Sequence, residues 1–309
     1  MTSLFIDPGA AALASAFALD VVQRSWPSAM HPVAWIGRGA ALLAAKLQDP
    51  KRPPSHQIVA GTVQVVLVTT AAVLAVAVAR VLAGRVSLQF AVDVFVLAAS
   101  ATLSGLLRAA RRVQSALRNG DLEKAREGLR SLCSRDPREL DSEELAAGAV
   151  ESVAENTSDS WVAPLFWYAV FGWPGAVAYR SVNTLDAMYG YRDHREWFGK
   201  AAARLDDLLN FVPARITAFL LWTVGPAGRR RSAWHIFLRD RGHTASPNAG
   251  QPMAMMAGLL GVRLTKRGCY ALGDPERSCD AERLSEAIRI ARRAGVAFAG
   301  TVLALEVWS

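Results

Sequence analysis

The apolar residues of this chain are concentrated in long segments, and the polar residues lie in the stretches between them. Residues 58–79 carry no charged side chain, and a helix needs about 20 apolar residues to span the hydrocarbon core of a bilayer. The Val and Thr content of this segment is also typical of a buried pair of strands, but its length and its lack of turn residues favour a helix. Residues 88–110 form a second candidate, interrupted by Asp93 and Arg108. These two segments predict the second and third of three membrane-spanning helices.

An N-terminal segment predicts the first span, and three later apolar segments give a weaker signal. Residues 4–22 are rich in alanine and contain neither Lys nor Arg, so they predict a retained first helix rather than a cleaved signal peptide. Residues 161–179, 211–224 and 294–308 are short or interrupted. Each of these three predicts a buried helix, a re-entrant hairpin or a tilted span. The Gly-Trp-Pro-Gly sequence at 172–175 predicts a turn within the first of them.

The distribution of Lys and Arg predicts how these segments are oriented. Five basic residues lie in segment 23–57 and four lie at 108–118, whereas the short segment 80–87 contains two. Cytoplasmic loops of membrane proteins carry an excess of positive charge. The pattern therefore places segments 23–57 and 109–160 in the cytoplasm and segment 80–87 outside.

The composition agrees with a membrane protein and excludes a disordered or collagen-like chain. Hydrophobic residues make up 52% of the chain and charged residues 20%, with a mean hydropathy of +0.18, whereas soluble domains are about 25% charged. The net charge of +8 allows nucleic acid, anionic lipid or anionic small molecules as partners. Cys133, Cys269 and Cys279 lack the spacing of a metal site, and they predict structural thiols in a reducing compartment.

Residues 111–160 differ from the rest because they form charged amphipathic helices. Asp121 is a suitable cap for the helix that follows it, and the Asp-Pro pair at 136–137 interrupts the chain. A further helix begins at Asp141 or Ser142, with acidic residues in its first turn. We expect this helix to continue beyond residue 155, up to the boundary with the next apolar segment.

Carboxylates recur at helical spacing along that last helix. Glu151 and Glu155 are four residues apart and share a face, and Asp159 joins them if the helix lasts that far. A solvated acidic face explains this spacing, but acidic groups at a membrane boundary are also suitable cation ligands. Spacing alone leaves both interpretations open.

A second polar cluster follows the 161–179 segment. Arg180, Asn183 and Asp186 lie on one helical side, and a further set of polar residues surrounds Asp206 and Asp207. Asp206 and Asn210 are four apart and so are expected to share a face. Adjacent acids beside an amide are reasonable ligands for Mg²⁺, which binds a few carboxylates together with phosphate oxygens. The alternative is a set of surface salt bridges to nearby arginines.

The third cluster consists of Arg239 to His243 followed by Ser-Pro-Asn-Ala-Gly at 246–250. These residue types favour a turn. Such a turn could hold backbone N–H groups around a phosphate or carboxylate, or it could be only the loop before a helix at 254–261. Neither GxxxxGK[ST] nor GxGxxG occurs in the chain. The histidines are isolated, so a Ser-His-Asp hydrolase has no support from spacing.

Five of these segments together resemble the CobD/CbiB family of cobalamin biosynthesis, in the family's order and across most of residues 20–273. They are residues 31–37, 151–167, 182–191, 203–217 and 239–262, the last with Ala-Gly at 257–258 and Gly-Val at 261–262. Two positions depart from the family pattern. The usual Gly-Asp-Pro before His31 is replaced by Arg24-Ser25-Trp26-Pro27, and Met253 stands where an acidic residue is common.

The resemblance implies an all-α, polytopic integral membrane protein with cytosol-facing helical motifs and short re-entrant or buried apolar helices. It implies one domain over residues 1–309. Within it, residues 1–110 are N-terminal transmembrane helices, residues 111–273 carry the catalytic motifs, and residues 274–309 form a membrane-associated C-terminal helix. The implied reaction joins aminopropanol, or its O-phosphate, to a propionate carboxyl of adenosylcobyric acid. The implied enzyme is a carbon–nitrogen ligase that uses ATP and Mg²⁺.

The resemblance also implies roles for the polar residues of these motifs. We expect ATP to activate the corrinoid carboxylate as an acyl phosphate or an adenylate before the amine attacks. Catalytic roles are expected for His31, Glu155, Asp186, Asp206 and Asp207. Substrate or ATP contacts are expected from Asn156, Arg180, Asn183, Lys200, Arg204, Asn210, Arg215, Arg239, Ser246 and Asn248. Magnesium ligands are expected among Glu151, Glu155, Asp159, Asp206 and Asp207.

This chemistry constrains location and partners. ATP and the corrinoid are cytosolic, so the protein is expected in a bacterial-type cell membrane as a multi-pass chain with its site facing the cytoplasm. Segments 161–179 and 211–224 are then expected to enter and return, or to pack in a cytosol-facing bundle. The expected partners are the corrinoid, the amine and the lipid bilayer, without nucleic acid; a homo-oligomer or an association with other enzymes of the pathway is left open. The alternative function is a non-catalytic AmpE-like membrane sensor or transport-associated protein.

Overall fold

The structure, a computed structural model, describes residues 8–22, 31–191 and 193–308, and almost all of its regular structure is helical. The start of the 4–22 segment and the Arg24 to Pro27 departure lie outside these residues. The helices are α1 (Pro8–Val22), α2 (Pro32–Leu47), α3 (Pro54–Gly84), α4 (Gln89–Ser100), α5 (Ser104–Arg118), α6 (Leu122–Arg130), α7 (Ser142–Thr157), α8 (Ala163–Tyr189), α9 (Glu196–Leu209), α10 (Phe211–Val224), α11 (Arg230–Asp240), α12 (Gly250–Leu260) and α13 (Ala281–Trp308).

The expectation of an all-α chain needs one correction, because two short strands follow α12. The strands β1 (Leu264–Lys266) and β2 (Tyr270–Leu272) pair antiparallel, with Leu264 opposite Leu272. Gly268, in the turn between them, has a φ of 71°, a backbone conformation that glycine adopts at little steric cost. The chain is therefore nearly all-α, with one β-hairpin.

Two helices begin at the capping residues that the sequence predicts. The Asp121 side chain accepts a hydrogen bond from the Lys124 N–H at the start of α6. Asp141 and Glu144 form a reciprocal capping box at the start of α7, which satisfies two backbone donors. The predicted continuation of α7 through Glu151 and Glu155 is confirmed, because this helix ends at Thr157.

Beyond Thr157 the α-helical register changes. Residues Ser158–Val162 form a π-helical turn. Asp159 lies in this turn, so the expectation that it continues the four-residue spacing of Glu151 and Glu155 is not met. Single π-turns occur frequently at functional sites, and this one falls inside the motif 151–167.

Two segments of the described chain are long and apolar enough to cross a membrane, namely Pro54–Gly84 and Gln89–Arg118. A third arises if the consecutive helices Glu196–Leu209 and Phe211–Val224 form one broken span. Residues 58–79 are helical, as predicted. Residues 88–110 are not one regular helix, because the chain leaves helical geometry at 101–103, between α4 and α5.

Charged side chains within the first candidate spans neutralise each other. Arg80 of α3 and Asp93 of α4 form an ion pair with 2.5 Å between Nε and Oδ1. The Arg80 guanidinium also lies 5.1 Å from the centre of the Trp173 ring. Ionisable groups in apolar spans are costly unless they are paired, and this pair explains why Asp93 is tolerated there.

The chain divides into two compact units, and each is described by itself. Unit 1 contains residues 1–102, 163–209 and 301–309. In it α3 packs against α2, α8 and α9, around a core that includes Val65, Val68 and Leu185. Gly61 allows α3 and α9 to approach closely, since a Cβ atom there would lie 1.9 Å from the Phe198 carbonyl oxygen.

Unit 2 contains residues 103–162 and 210–300 and is built around α12. Every residue from 250 to 260 is buried, and α12 packs against α7, α10 and α11. Gly258 allows α11 to approach, because a Cβ atom there would lie 2.5 Å from the Ala233 Cα. Gly261 ends α12 in the left-handed conformation, with a φ of 69°.

Two further apolar segments can now be compared with their predictions. The break predicted near 172–175 is present, because Gly172 has a φ of 65° inside α8 and Pro174 follows it. The segment at 294–308 is only the second half of α13, which starts at Ala281. The helix expected at 254–261 begins earlier, at Gly250. The loop chemistry at 246–250 therefore leads directly into the buried helix.

Candidate active site

The predicted site residues divide between the two units. Unit 1 holds the polar residues of α8 and α9 together with His31. Unit 2 holds those of α7, α10 and the loop between α11 and α12. The geometry within each group shows which side chains act together.

In unit 1, a hydrogen-bonded chain connects α8 with α9. Arg180 Nη1 donates to Asn183 Oδ1 at 3.3 Å, and Asn183 Nδ2 donates to Asp206 Oδ1 at 3.2 Å. Arg180 and Asn183 share a helical face, as their spacing predicted. Asp206 comes from a different motif, 23 residues further along the chain. The fold therefore joins a cation, an amide and a carboxylate from two separate motifs.

Asp186 lies at the end of α8, where the chain changes direction. The Gly190 N–H donates to the Asp186 carbonyl oxygen at 2.7 Å. A Cβ atom at Gly190 would lie 2.0 Å from Asp186 Oδ1. Any other side chain at position 190 would therefore collide with the Asp186 carboxylate. This collision is a physical reason for glycine at this point of the motif 182–191.

The remaining polar residues of α9 are more exposed. Lys200 Nζ lies 3.5 Å from Glu196 Oε1 and 5.5 Å from the centre of the Trp197 ring. Arg204 is exposed, and Asp207 is half-buried. The surface interpretation therefore holds for the Lys200 and Glu196 pair, while the roles predicted for Arg204 and Asp207 stay predictions.

The prediction that Asp206 and Asn210 share one helical face is wrong. The i, i+4 rule requires one continuous helix, but α9 ends at Leu209. Asn210 instead precedes α10 as its N-terminal cap residue, and it is 2% exposed. Its burial shows that Asn210 belongs with the interior of unit 2.

His31 has a structural role at the start of α2. Its Nδ1 accepts a hydrogen bond from the Val33 N–H at 3.2 Å, which caps the helix. Burial, and then the positive charge of Arg180, hold the pKa of His31 below its ordinary value. The imidazole is therefore neutral at physiological pH and lies close enough to Arg180 to feel its charge.

In unit 2, Glu151 is a buried carboxylate engaged by an arginine. Arg135 Nη2 lies 2.5 Å from Glu151 Oε2, and Arg135 Nη1 donates to the Thr265 carbonyl oxygen. Glu151 is 5% exposed. Burial raises its pKa to about 7, although Arg135 and the Tyr270 hydroxyl act in the opposite direction. Burial also raises the pKa of Tyr270, with the neighbouring Glu151 adding to the effect.

This arrangement makes Glu151 a poor magnesium ligand. The Arg135 guanidinium competes with any cation for Glu151 Oε2, and the elevated pKa disfavours the ionised form. Sequence reasoning did not find Arg135 or Tyr270, since neither is at a helical spacing from Glu151. The β-hairpin that carries Tyr270 gave no sequence signal either.

The other polar residues of the motif 151–167 lie close to the π-helical turn. Asn156 Nδ2 donates to the Ser152 carbonyl oxygen at 3.0 Å. Glu155 is half-buried on α7, and Asp159 is half-buried in the turn. The metal and catalytic roles of Glu155 and Asp159 stay predictions.

Arg215 connects α10 with the loop that precedes α12. Its Nη1 donates to Asn248 Oδ1 at 3.0 Å and to the Phe211 carbonyl oxygen at 2.6 Å. The guanidinium also lies 3.7 Å from the centre of the Phe211 ring. Asn248 is 5% exposed, and its N–H donates to Ser246 Oγ. Arg215, Ser246 and Asn248 are thus brought together, although they come from two different motifs, and their predicted substrate contacts stay predictions.

The loop from 241 to 250 has a fixed backbone. Thr244 Oγ1 donates to the Ser246 carbonyl oxygen and accepts from the Gly250 N–H. A Cβ atom at Gly250 would lie 2.3 Å from the Arg241 carbonyl oxygen. The turn therefore closes tightly on itself and holds Asn248 against Arg215.

Arg239 is bound by two carboxylates, and its predicted role in substrate or ATP binding stays a prediction. It pairs with Asp240 at 2.6 Å and with Asp274 at 3.0 Å. The Gly273 N–H donates to Asp240 at 2.7 Å. Burial acts to raise the pKa of Asp240, but the hydrogen bonds from Arg239 and Gly273 outweigh it and lower the pKa. Sequence reasoning selected Arg239 and missed the carboxylates that engage it.

The fit of a magnesium ion can be judged from these donors. Within the described ranges, no group of three His, Cys, Asp or Glu side chains is arranged to hold a metal ion. Mg²⁺ is usually bound by one or two carboxylates plus substrate phosphates. The adjacent Asp206 and Asp207 of α9 fit that requirement better than Glu151, which is already paired.

Comparison with known proteins agrees with the motifs. The family model described as "CobD/Cbib protein" matches residues 13–294. The "Cobalamin biosynthesis protein CobD" of Dehalococcoides mccartyi is 41% identical over 286 residues, which cover 91% of this chain and 92% of that protein. The protein of the same name from Mycobacterium tuberculosis is 44% identical over 251 residues, covering 80% and 77%. No solved structure matches this chain. The chain belongs to the CobD/CbiB family, and its role is in cobalamin biosynthesis.

Proposed function

We propose that this chain is an ATP-dependent amide synthase of cobalamin biosynthesis. It joins a propionate carboxyl of adenosylcobyric acid to the amine of aminopropanol or of its O-phosphate, giving adenosylcobinamide or its phosphate. The observation that carries the proposal is the hydrogen-bonded chain Arg180–Asn183–Asp206. This hydrogen-bonded chain brings residues of two family motifs into one polar cluster. The packing of α8 on α9 does not by itself require such a cluster.

The reaction needs activation, because a carboxylate oxygen is a poor leaving group. Transfer of a phosphoryl or adenylyl group from ATP to this oxygen releases ADP or pyrophosphate. The amine nitrogen then attacks the carbonyl carbon, a C–N bond forms, and the activated C–O bond breaks with release of phosphate from the acyl phosphate or AMP from the adenylate. The proton lost by the amine is taken up by a general base. Asp186 and Asp206 are the candidates for this base.

Charge on the phosphates must be balanced during these steps. Arg180 in unit 1 and Arg215 in unit 2 have the planar guanidinium that suits phosphate and carboxylate oxygens. Asp206 and Asp207 would hold Mg²⁺ together with substrate phosphate. A bound Mg²⁺ would supply charge neutralisation on the transferring group. Asn183 and Asn248, each bonded to one of the two arginines, would fix the orientation of those arginines.

The test uses purified protein in detergent with ATP, Mg²⁺, adenosylcobyric acid and aminopropanol phosphate, and product is identified by mass. Asp206→Asn and Asp207→Asn should each lower product formation by at least about 100-fold, the lower end of the effect of a positioned acid–base group. Glu127→Gln is the matched control, because Glu127 is exposed on α6 in unit 2. Near-normal activity in both aspartate variants, with wild-type melting temperatures, would contradict the assignment.

A non-catalytic AmpE-like sensor is not favoured, because the relatives at 41% and 44% identity are named for cobalamin biosynthesis. We further propose that the site faces the cytoplasm, where ATP and the corrinoid are found. Cysteines introduced at 193–200 should then resist a membrane-impermeant maleimide added to intact cells. Labelling from outside would show that α9 lies on the opposite side.

A further inference from the structure

The outer face of the α10–α11 hairpin in unit 2 combines exposed aromatic side chains with arginines. The rings of Phe219 and Trp222 lie 5.6 Å apart, those of Trp222 and Trp234 lie 5.5 Å apart, and those of Trp234 and Phe237 lie 5.3 Å apart. Of these side chains, Phe219 is 54% exposed and Trp234 is 38% exposed, whereas Trp222 is half-buried and Phe237 is buried. Leu238, one helical turn beyond Trp234, is 49% exposed. An apolar stripe therefore continues from α10 onto α11.

The hairpin holds this face rigidly. Trp222 Nε1 donates to the Arg230 carbonyl oxygen at 3.1 Å, and the Arg230 guanidinium donates to the Thr223 and Gly225 carbonyl oxygens. On its other side α11 is buried against α12, where Ala233 packs at Gly258. The apolar side chains of this stripe therefore cannot be buried by a rotation of α11, because the inner face of α11 already packs against α12.

Positive charge surrounds the apolar stripe. Arg230 lies over the Trp222 ring and Arg241 over the Phe237 ring, at 6.0 and 5.2 Å. Arg231 is exposed on α11. The acidic residue of α11 is Asp240, which is buried and bound by Arg239. Arg239 is paired with Asp274, so the cations beside the stripe are Arg230, Arg231 and Arg241.

We propose that α11 is an interfacial helix that lies on the surface of an anionic phospholipid bilayer. Trp and Arg beside exposed apolar residues are typical of helices at the boundary between headgroups and acyl chains. Each arginine near an anionic surface strengthens binding by about fivefold. The α10 helix, which is part of a candidate broken span, leads directly into this face. The inference rests on the proposed membrane location but not on the proposed reaction.

The consequence concerns the loop 241–250, which follows α11 directly. Its backbone is fixed by Thr244 and Gly250, and Asn248 holds it to Arg215. An α11 that lies on the lipid surface places this loop, and the Arg215–Asn248 pair, at the headgroup level. Substrates would then reach this part of unit 2 along the membrane surface.

The test measures the depth of spin labels on the full-length protein in nanodiscs. Cys133, Cys269 and Cys279 are replaced by alanine, and a label is placed at Leu238→Cys. Val66→Cys on α3 serves as the lipid-exposed reference and Glu123→Cys on α6 as the water-exposed reference. Collision rates with oxygen and with a water-soluble nickel chelate report depth. His235→Cys, on the same face of α11, replaces Leu238→Cys if the first variant does not fold.

With phosphatidylglycerol present, the label at 238 should give a ratio of oxygen to nickel collisions between those of the labels at 66 and 123. In phosphatidylcholine alone this ratio should shift towards that of the label at 123. Arg231→Gln should reduce the difference between the two lipids, by about fivefold in binding for the one charge removed, whereas the exposed control Arg277→Gln should keep it.

A ratio at 238 equal to that at 123, with the label at 66 in lipid, would overturn the interfacial helix but leave the membrane location intact. Water-like ratios at both 66 and 238 would overturn both proposals. Dipolar coupling between labels at 238 on two copies of the chain would show that this face binds a second copy, and would also overturn the proposal.

Discussion

Gly61→Ala tests whether the approach of α9 to α3 positions the polar residues of α9. A Cβ atom at Gly61 would lie 1.9 Å from the Phe198 carbonyl oxygen and 2.9 Å from its carbonyl carbon. Non-bonded contacts of real Cβ atoms stay above 3.0 Å. The two helices must therefore separate locally by about 1.1 Å, the difference between 3.0 and 1.9 Å.

The surroundings do not allow this shift to be absorbed at Phe198. Its ring is 1% exposed and packs edge-on against Tyr189 at 5.6 Å. Overpacking of this kind costs about 1–3 kcal/mol of folding free energy, while replacing glycine by alanine within a helix returns about 1 kcal/mol. The net loss of stability is small, so the displacement of Asp206 is the main consequence. A 1 Å misplacement of catalytic groups lowers the rate by about 100-fold.

The assay compares Gly61→Ala with Gly39→Ala, using product formation and thermal melting in the same detergent. Gly39 lies within α2, and among the described residues no atom outside this helix's own backbone lies within 4 Å of a Cβ atom built there. Gly39→Ala should keep activity and raise the melting temperature slightly. Gly61→Ala should lose about 100-fold in activity and a few degrees in melting temperature. Full activity in a folded Gly61→Ala protein would refute the reasoning.

Three other outcomes are expected. Because the folded state holds the Glu151 proton more tightly than the unfolded state, its contribution to stability is present below pH 4.5 and is lost as the pH rises through about 7. The expected loss of folding free energy is up to about 3 kcal/mol. Thermal melting between pH 5 and 8 should show this loss for the wild type but not for Glu151→Gln. An equal dependence of the melting temperature on pH in the two proteins would contradict the prediction. Arg215→Lys should lower kcat/KM by about 10–100-fold, since lysine lacks the planar fork that contacts Asn248, and unchanged kinetics would remove Arg215 from the site. In maleimide labelling followed by mass spectrometry, exposed Cys269 should react first, while Cys279, buried with a pKa of about 12, should react last; the reverse order would contradict the burial of Cys279.

Much of the helical structure was predictable from local sequence signals. The Asp121 and Asp141 caps, the apolar run at 58–79 and the glycine–proline break in α8 all appear where the sequence places them. Each depends on interactions within a few residues, such as capping hydrogen bonds or helix length. Neither the break at 101–103 nor the β-hairpin at 264–272 was predicted, although the two strands of the hairpin pair locally across the turn at Gly268.

The candidate site was predictable in its residue types but only partly in its contacts. Family resemblance selected Arg180, Asn183 and Asp206, and the structure joins them by hydrogen bonds. It also selected Glu151 as a metal ligand, but it could not show that Arg135 engages this carboxylate. Partners of a buried charge are set by the tertiary fold, since they lie far apart in the chain.

The sequence by itself determined the family, the nearly all-helical character and the apolar segments long enough to cross a membrane. These follow from motif order, hydrophobic length and capping residues, all of which are properties of contiguous stretches. The tertiary structure decided which polar groups meet: Asn183 with Asp206, Arg215 with Asn248, and Arg239 with Asp274. It also placed the aromatic and basic face of α11 outward, because a buried α12 occupies its other side. Side-chain pairing and burial depend on contacts between distant segments, and no local pattern encodes them.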